Sequence, residues 1–176
     1  MLAYLFVLIA IAYRFIPHPW GFTPLPASLL FFGAKTSRRM LWLPLVLTMV
    51  GDVVLTKFVY KLPISWDQFV IWAWYAGVLW LGTALKNSQK PVRVVQASLT
   101  TSVSFFVISN FAVWAARDLY PHTFAGLMTC YTIGLLHFHR TVGGDLLFSS
   151  IMFATPYALQ KLADMFEKGS DHTAAA

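Results

Sequence analysis

Residues 109–138, SNFAVWAARDLYPHTFAGLMTCYTIGLLHF, gather reactive side chains between long apolar runs. The stretch holds Asn110, Arg117, Asp118, Tyr120, His122, Tyr131, His137 and Cys130, the only cysteine of the chain. Thiolates and imidazoles are common ligands of transition metals. Cys130 and His137 are seven residues apart, so a helix presents them on one face. His139 and Arg140 follow, and Asp145 lies beyond. A structural metal centre needs about four ligands of fixed geometry. This spacing supplies one Cys with a His or two, so Cys130 and His137 are candidate metal ligands without a complete set. The alternative for Cys130 is a small apolar filler between helices. Arg140 suits an anionic substrate group or the membrane surface.

Catalytic signatures are missing from the sequence. It has no Gly-x-Ser-x-Gly, no His-Glu-x-x-His and no phosphate-cradling Gly-x-x-x-x-Gly-Lys. A membrane enzyme or cofactor carrier centred on Cys130, His137 and His139 stays as an alternative reading.

The elements that must position these groups are apolar helices. The candidate segments are 2–16, 22–35, 40–59, 66–86, 92–115, 121–138 and 142–166. Pro17, Pro19, Pro24 and Pro26 separate the first two, and KTSRR (35–39) separates the next pair. KLPISWD (61–67), KNSQKPVR (86–93), RDLYPH (117–122) and HFHRTVGGD (137–145) mark the later breaks. A crossing helix needs roughly 20 apolar residues. Segment 22–35 is short, and 121–138 is rich in Gly, Thr and Tyr, so it crosses or folds back as a re-entrant piece. The expected architecture is all-α: a polytopic membrane helix bundle of six transmembrane helices over 1–166, then a flexible polar tail over 167–176.

Positive charge sets the orientation. Lys35, Arg38 and Arg39 share one loop, and Lys86, Lys90 and Arg93 another. The positive-inside rule makes both cytoplasmic, with the N-terminus on the same side. The opening MLAYLFVLIAIAYRF lacks a basic n-region and a small-x-small site, so it reads as a retained first helix. Loops 17–21, 60–66 and 116–121 then face outward.

That placement brings His18, Trp20, Asp52, Asp67, Asn110, Trp114, Tyr120 and His122 into the outer half as candidate substrate-binding residues. Aromatic walls with a few polar groups describe a small-molecule pocket. Asp52 is an ionisable residue at membrane depth and therefore a functional candidate, or else it pairs with a cation such as Lys57. Asn110 and Trp114 share a helix face, and Asn110 equally suits interhelical glue. Asp67 opens the fourth helix, where a negative charge is favourable in any case. The proline-rich loop PHPWGFTP is stiff enough for a lid or a fixed connection.

Composition narrows the class. The chain is 58% hydrophobic and 11% charged, against about 25% charged in soluble domains. Its mean hydropathy is +0.64. The net charge of +6 is dispersed over short loops with no basic run, so nucleic acid is not indicated. One cysteine excludes an intrachain disulfide.

RFIPHPWGFTPLPASLLFFGAK followed by LPLVLTMVGDVVL resembles the opening of the substrate-binding S components of energy-coupling-factor vitamin transporters. SNFAVW, YPHTFAGLMTCY and GDLLFSSIMFA extend the likeness to a related bacterial family of solitary S-component-like membrane proteins, among which BtuM-like cobalamin transporters are the named comparison. The resemblance implies a six-helix bundle in a bacterial inner membrane, with an outer pocket for a vitamin or related micronutrient closed by the first outer loop. It implies no permanent cofactor. A corrinoid would be substrate, and Cys130 is the only residue available as a thiolate ligand to its cobalt. Family members dock on a coupling ATPase module through Ala-x-x-x-Ala on the first helix. Ala3, Ala10 and Ala12 do not fit that spacing, which favours a solitary transporter. The remaining alternative is a structural or accessory subunit of a membrane complex.

Overall fold

The computed structural model describes the backbone of residues 1–174 and the side chains of residues 1–166. The flexible tail expected over 167–176 lies outside the residues whose side chains are described. The described chain is all-helical: α1 Leu2–Tyr13, α2 Leu25–Lys35, α3 Trp42–Val54, α4 Asp67–Thr83, α5 Pro91–Ala116 and α6 Phe124–Ala174. A 3-10 turn, Arg38–Met40, leads into α3, and a π-helical turn, Leu55–Val59, follows it.

Among the described residues, three stretches are long and apolar enough to cross a membrane: Arg38–Val59, Pro91–Ala116 and Phe124–Phe166. Leu2–Tyr13 and Leu25–Lys35 are shorter apolar helices. Successive helices run in opposite directions. The end of α1 meets the end of α3 and the start of α4 through Arg14, Asp52 and Trp72. The start of α4 meets the end of α5 through Asp67 and Arg117.

Prolines place the first boundaries. A residue before proline is pushed away from the α region, so α1 stops short of Pro17, at Tyr13 rather than residue 16. Proline lacks an N–H that the first turn does not need, so Pro26 sits at the start of α2. α2 begins at Leu25 rather than 22, and every residue from Leu25 to Ala34 is buried. This short helix is the core of the bundle, packed against α1, α4 and α6. Phe31 and Phe32 meet Phe6, Tyr4 and Phe153 edge-on, at ring-centroid distances of 4.9–5.2 Å.

α2 and α4 touch backbone to backbone. A Cβ on Gly33 would lie 2.1 Å from the Leu79 carbonyl oxygen, and one on Gly82 would lie 2.3 Å from that of Leu30. Small residues permit this approach where packing, not hydrophobicity, drives helix association. On α1, Ala3, Val7 and Ala10 face inward, while Leu5, Leu8 and Ile9 are exposed.

The expected break at 137–145 is absent, and 121–138 is not re-entrant. Residues 124–166 form one continuous helix that merges the last two apolar segments. The reason is physical. No proline interrupts 124–155, and the two glycines of the expected break, Gly143 and Gly144, cost a helix only about 1 kcal/mol each. His137, His139 and Arg140 lie on exposed positions of the helix, so the polar run does not have to break it. Gly144 is buried against Phe22, at 3.2 Å from a would-be Cβ, so small size there serves packing.

Candidate functional site

Asp52 is the polar centre of the bundle. It stands on the last full turn of α3 and is 4% exposed. Arg14 Nη1, from the turn after α1, forms an ion pair with its Oδ1. Trp72 Nε1, from α4, donates to its Oδ2 at 2.9 Å. Three helices thus meet on one carboxylate. The exposed Lys57 is not its partner. Tyr75, one turn beyond Trp72, is buried on the same helix.

The turn after Asp52 is irregular. Leu55–Val59 is π-helical, closed by Tyr60 N–H to Leu55 O at 2.8 Å. Gln68 Nε2 ties it to α4 through Thr56 Oγ1 at 3.2 Å. Lys61 then adopts φ 53°, a left-handed conformation that ends the helix. Such π-turns recur at functional sites because they re-aim the side chains around them.

The loop 14–24 begins at Arg14 and runs to α6. Gly21 has φ 79°, and a Cβ there would be 2.6 Å from Thr141 Oγ1 on α6. Phe22 packs on Gly144 and on Phe148, at 5.2 Å between ring centroids. Tyr13 contacts both His18 and Phe148, at 5.0 Å and 6.2 Å. The loop is therefore seated on the middle of α6 by one glycine and a set of aromatic rings.

The other expected site residues fall into three groups. His18 is half-buried in the loop, with Nδ1 2.7 Å from Ile16 O, whereas Trp20 points outward with 83% exposure. Asp67 and Trp114 are fasteners at the rim. Asp67 Oδ2 accepts from Arg117 Nε at 2.9 Å, tying α4 to α5, and its buried Oδ1 has no partner among the described residues. Trp114 Nε1 donates to Pro121 O at 3.0 Å and meets His122 edge-on, while Tyr120 is half-buried beside that turn and His122 is exposed.

Asn110 and Cys130 belong to the α5–α6 seam. Asn110 Nδ2 donates to Phe106 O at 2.7 Å, and a Cβ on Gly134 would lie 2.3 Å from its Oδ1. Cys130 Sγ lies 3.4 Å from Asn110 O and is buried. His137 is exposed about 10 Å further along α6, by helical rise, and does not meet Cys130. Among the described residues no three His, Cys, Asp or Glu side chains are grouped to hold a metal ion. A macrocycle reaches Cys130 only if the seam opens.

Sequence reading passed over Arg14 and Trp72. Arg14 was legible in principle, as a cation at the end of an apolar helix level with Asp52. Trp72 carried no signal among seven tryptophans. An open groove of about 530 Å³ runs along α5 past Leu99, Thr100, Val103, Ser104, Val107 and Ile108. None of the expected site residues lines it.

Neither the curated proteins nor the solved structures contain a match to this chain. Residues 1–166 match the family described as a family of unknown function (DUF6580), and the chain belongs to that family.

Proposed function

We propose that the protein is a membrane-embedded substrate-binding transporter for uptake of a vitamin or related micronutrient, and that the ligand is held at the Arg14 end of the bundle. The observation that carries this reading is the Arg14–Asp52–Trp72 centre, from whose Arg14 a proline-rich loop runs to its seat on α6. A guanidinium has five N–H donors, and Asp52 engages only Nη1. Arg14 keeps 22% side-chain exposure, so its free donors suit a carboxylate, phosphate or amide of a ligand.

The likeness to S components supports six crossings. α1 and α2 are only about 18 Å and 16 Å long, and the short α2 is tolerable at membrane depth because protein surrounds it. The charges of Lys35, Arg38, Arg39, Lys86, Lys90 and Arg93 support a cytoplasmic N-terminus in a bacterial inner membrane. With Ala3 and Ala10 turned inward, α1 offers no small-residue face to a coupling ATPase, which favours transport without one. Cobalamin is the first ligand to try, bound without Cys130 as a cobalt ligand while the seam stays closed.

The test is to purify the full chain in mild detergent, identify released small molecules by mass spectrometry and record the absorption spectrum. A stoichiometric micronutrient, lost in Arg14→Gln, is the expected result, and a corrinoid spectrum would name cobalamin. The reading fails if wild type and Arg14→Gln carry the same small molecules and no vitamin raises the unfolding midpoint of either. The open apolar groove on α5 favours a second reading, an accessory subunit that packs a partner helix there.

A further inference from the structure

Among the described residues three aspartates are removed from water, and two of them face an arginine: Asp52 faces Arg14, and Asp67 faces Arg117. The third, Asp145, is 2% exposed and takes part in no ion pair among the described residues. It sits on α6 against Ser102, the twelfth of the 26 residues of α5 and so near the middle of that span. An unpaired charge at that depth is costly, and an intramembrane acid is a functional candidate by default.

Hydrogen counting sharpens the point. Ser102 Oγ lies 2.6 Å from Asp145 Oδ2 and 3.2 Å from Ser98 O. A hydroxyl carries one hydrogen, and a carbonyl oxygen can only accept. If Ser102 donates to Ser98 O, its contact with Asp145 is a hydrogen bond only when Asp145 carries the proton. If Asp145 is a carboxylate, Ser102 must turn its hydrogen to it and release Ser98 O. The seam therefore has two hydrogen-bond states that differ by one proton.

The polar line continues on both sides. Thr141, Asp145 and Ser149 recur every fourth residue on one face of α6, and all are buried. Ser149 Oγ is 3.2 Å from Ser98 Oγ. At the other end, Thr141 and Gly144 are the seat of the outer loop, at Gly21 and Phe22.

Among the described residues no other charge is paired with it. Around the loop, Arg14 forms its ion pair with Asp52, and the His18 ring is tilted against Tyr13. The basic groups of α2 and α5, Lys35 and Arg93, stand at the far ends of their helices and are exposed. On α6 itself, Arg140 and the two nearby histidines are exposed.

We infer that Asp145 is a proton-binding site whose loading is linked to the seating of the outer loop on α6, so that the proton is the coupling ion of uptake. The inference rests on the transport reading for its last clause only. Proton binding at Asp145 is measured with no substrate present, so its failure is separable from failure to find a ligand.

The test is infrared difference spectroscopy of the purified full chain in lipid across a pH series, comparing wild type with Asp145→Asn and Ser102→Ala. A second arm follows a nitroxide attached at Trp20→Cys, in a Cys130→Ser background, over the same pH series. The expected wild-type result is a carboxylic-acid C=O band that persists at neutral pH, where exposed carboxyls are ionised. That band is lost in Asp145→Asn and shifted in Ser102→Ala. The nitroxide mobility changes over the pH interval in which the band disappears, and Asp145→Asn abolishes that change. A band that is absent at neutral pH, or unaltered by Asp145→Asn, overturns the proton site. A lost band with a nitroxide insensitive to pH overturns the link to the loop. Asparagine keeps the size and the hydrogen-bonding capacity of the acid, so the fold is maintained in the key variant.

Discussion

Asp52 and Asp67 show how differently the same ion pair behaves at two depths. The Asp52 partner Arg14 is 22% exposed, and the carboxylate has both oxygens engaged. The Asp67 partner Arg117 is 40% exposed, so water screens that pair. Removing one member of a buried pair strands the other and costs about 3–5 kcal/mol. Arg14→Gln and Asp52→Asn are each expected to lower the thermal midpoint strongly, and the double variant by less than the sum. Arg117→Gln is expected to lower it least. Tryptophan fluorescence during unfolding in detergent checks all four. Asn110→Ala discriminates further: its side chain serves the α5–α6 seam, so the variant should lose stability and keep ligand affinity, whereas Arg14→Gln should lose affinity. That Asp52 needs a partner at its depth was readable from its type and position. Its partner was not, because the Arg14–Asp52 contact joins residues 38 positions apart and depends on how α1 packs on α3.

Among the elements, the α2–α4 crossing and the glycines of α6 answer the same substitution in opposite ways. Gly33→Ala drives a methyl to 2.1 Å from the Leu79 carbonyl, where only backbone movement relieves it. Overpacking of this kind costs about 1–3 kcal/mol or more, so Gly33→Ala should lower the midpoint or prevent folding. Gly143 has nothing within 4 Å of a would-be Cβ. Gly143→Ala should be neutral or stabilising, by at most about 1 kcal/mol of helix propensity. Equal losses in both variants would contradict the packing described. The same contrast explains what the sequence revealed. Apolar runs bounded by proline or, between α2 and α3, by the charged KTSRR located α1 to α5 to within a few residues. HFHRTVGGD imitated a loop because polar residues and glycines signal one on average. Here His137, His139 and Arg140 lie along exposed positions of a helix, Thr141 and Asp145 are buried in its seam with its neighbours, and one of the two glycines is a packing site. Composition cannot tell those cases apart without the neighbouring Phe22.

For the whole molecule, the continuity of α6 decides the topology. The stretch Phe124–Phe166 has 43 residues and spans about 65 Å, against a hydrocarbon core of about 30 Å. One crossing therefore leaves a long part of α6 outside the core, whereas a break at 137–145 would have made two crossings. The two arrangements place Lys161 on opposite sides of the membrane. Single cysteines at Trp20, Asn87, Asp118 and Lys161, in a Cys130→Ser background, report this through a membrane-impermeant thiol reagent on intact cells. The four positions are exposed, and the native Cys130 is buried. Positions 20 and 87 are separated by α2, α3 and α4, so three crossings put them on opposite sides. With lysine and arginine concentrated in the loops that hold Lys35 and Lys86, positions 20 and 118 should label from outside. Positions 87 and 161 should label only after permeabilisation. Labelling of 161 together with 118 in intact cells would mean an even number of crossings after 118, and α6 would then have to turn back within the membrane. Labelling of 20 and 87 from the same side would remove one of α2, α3 and α4 from the set of crossings. α2, at 11 residues and buried from Leu25 to Ala34, is the helix that result would single out.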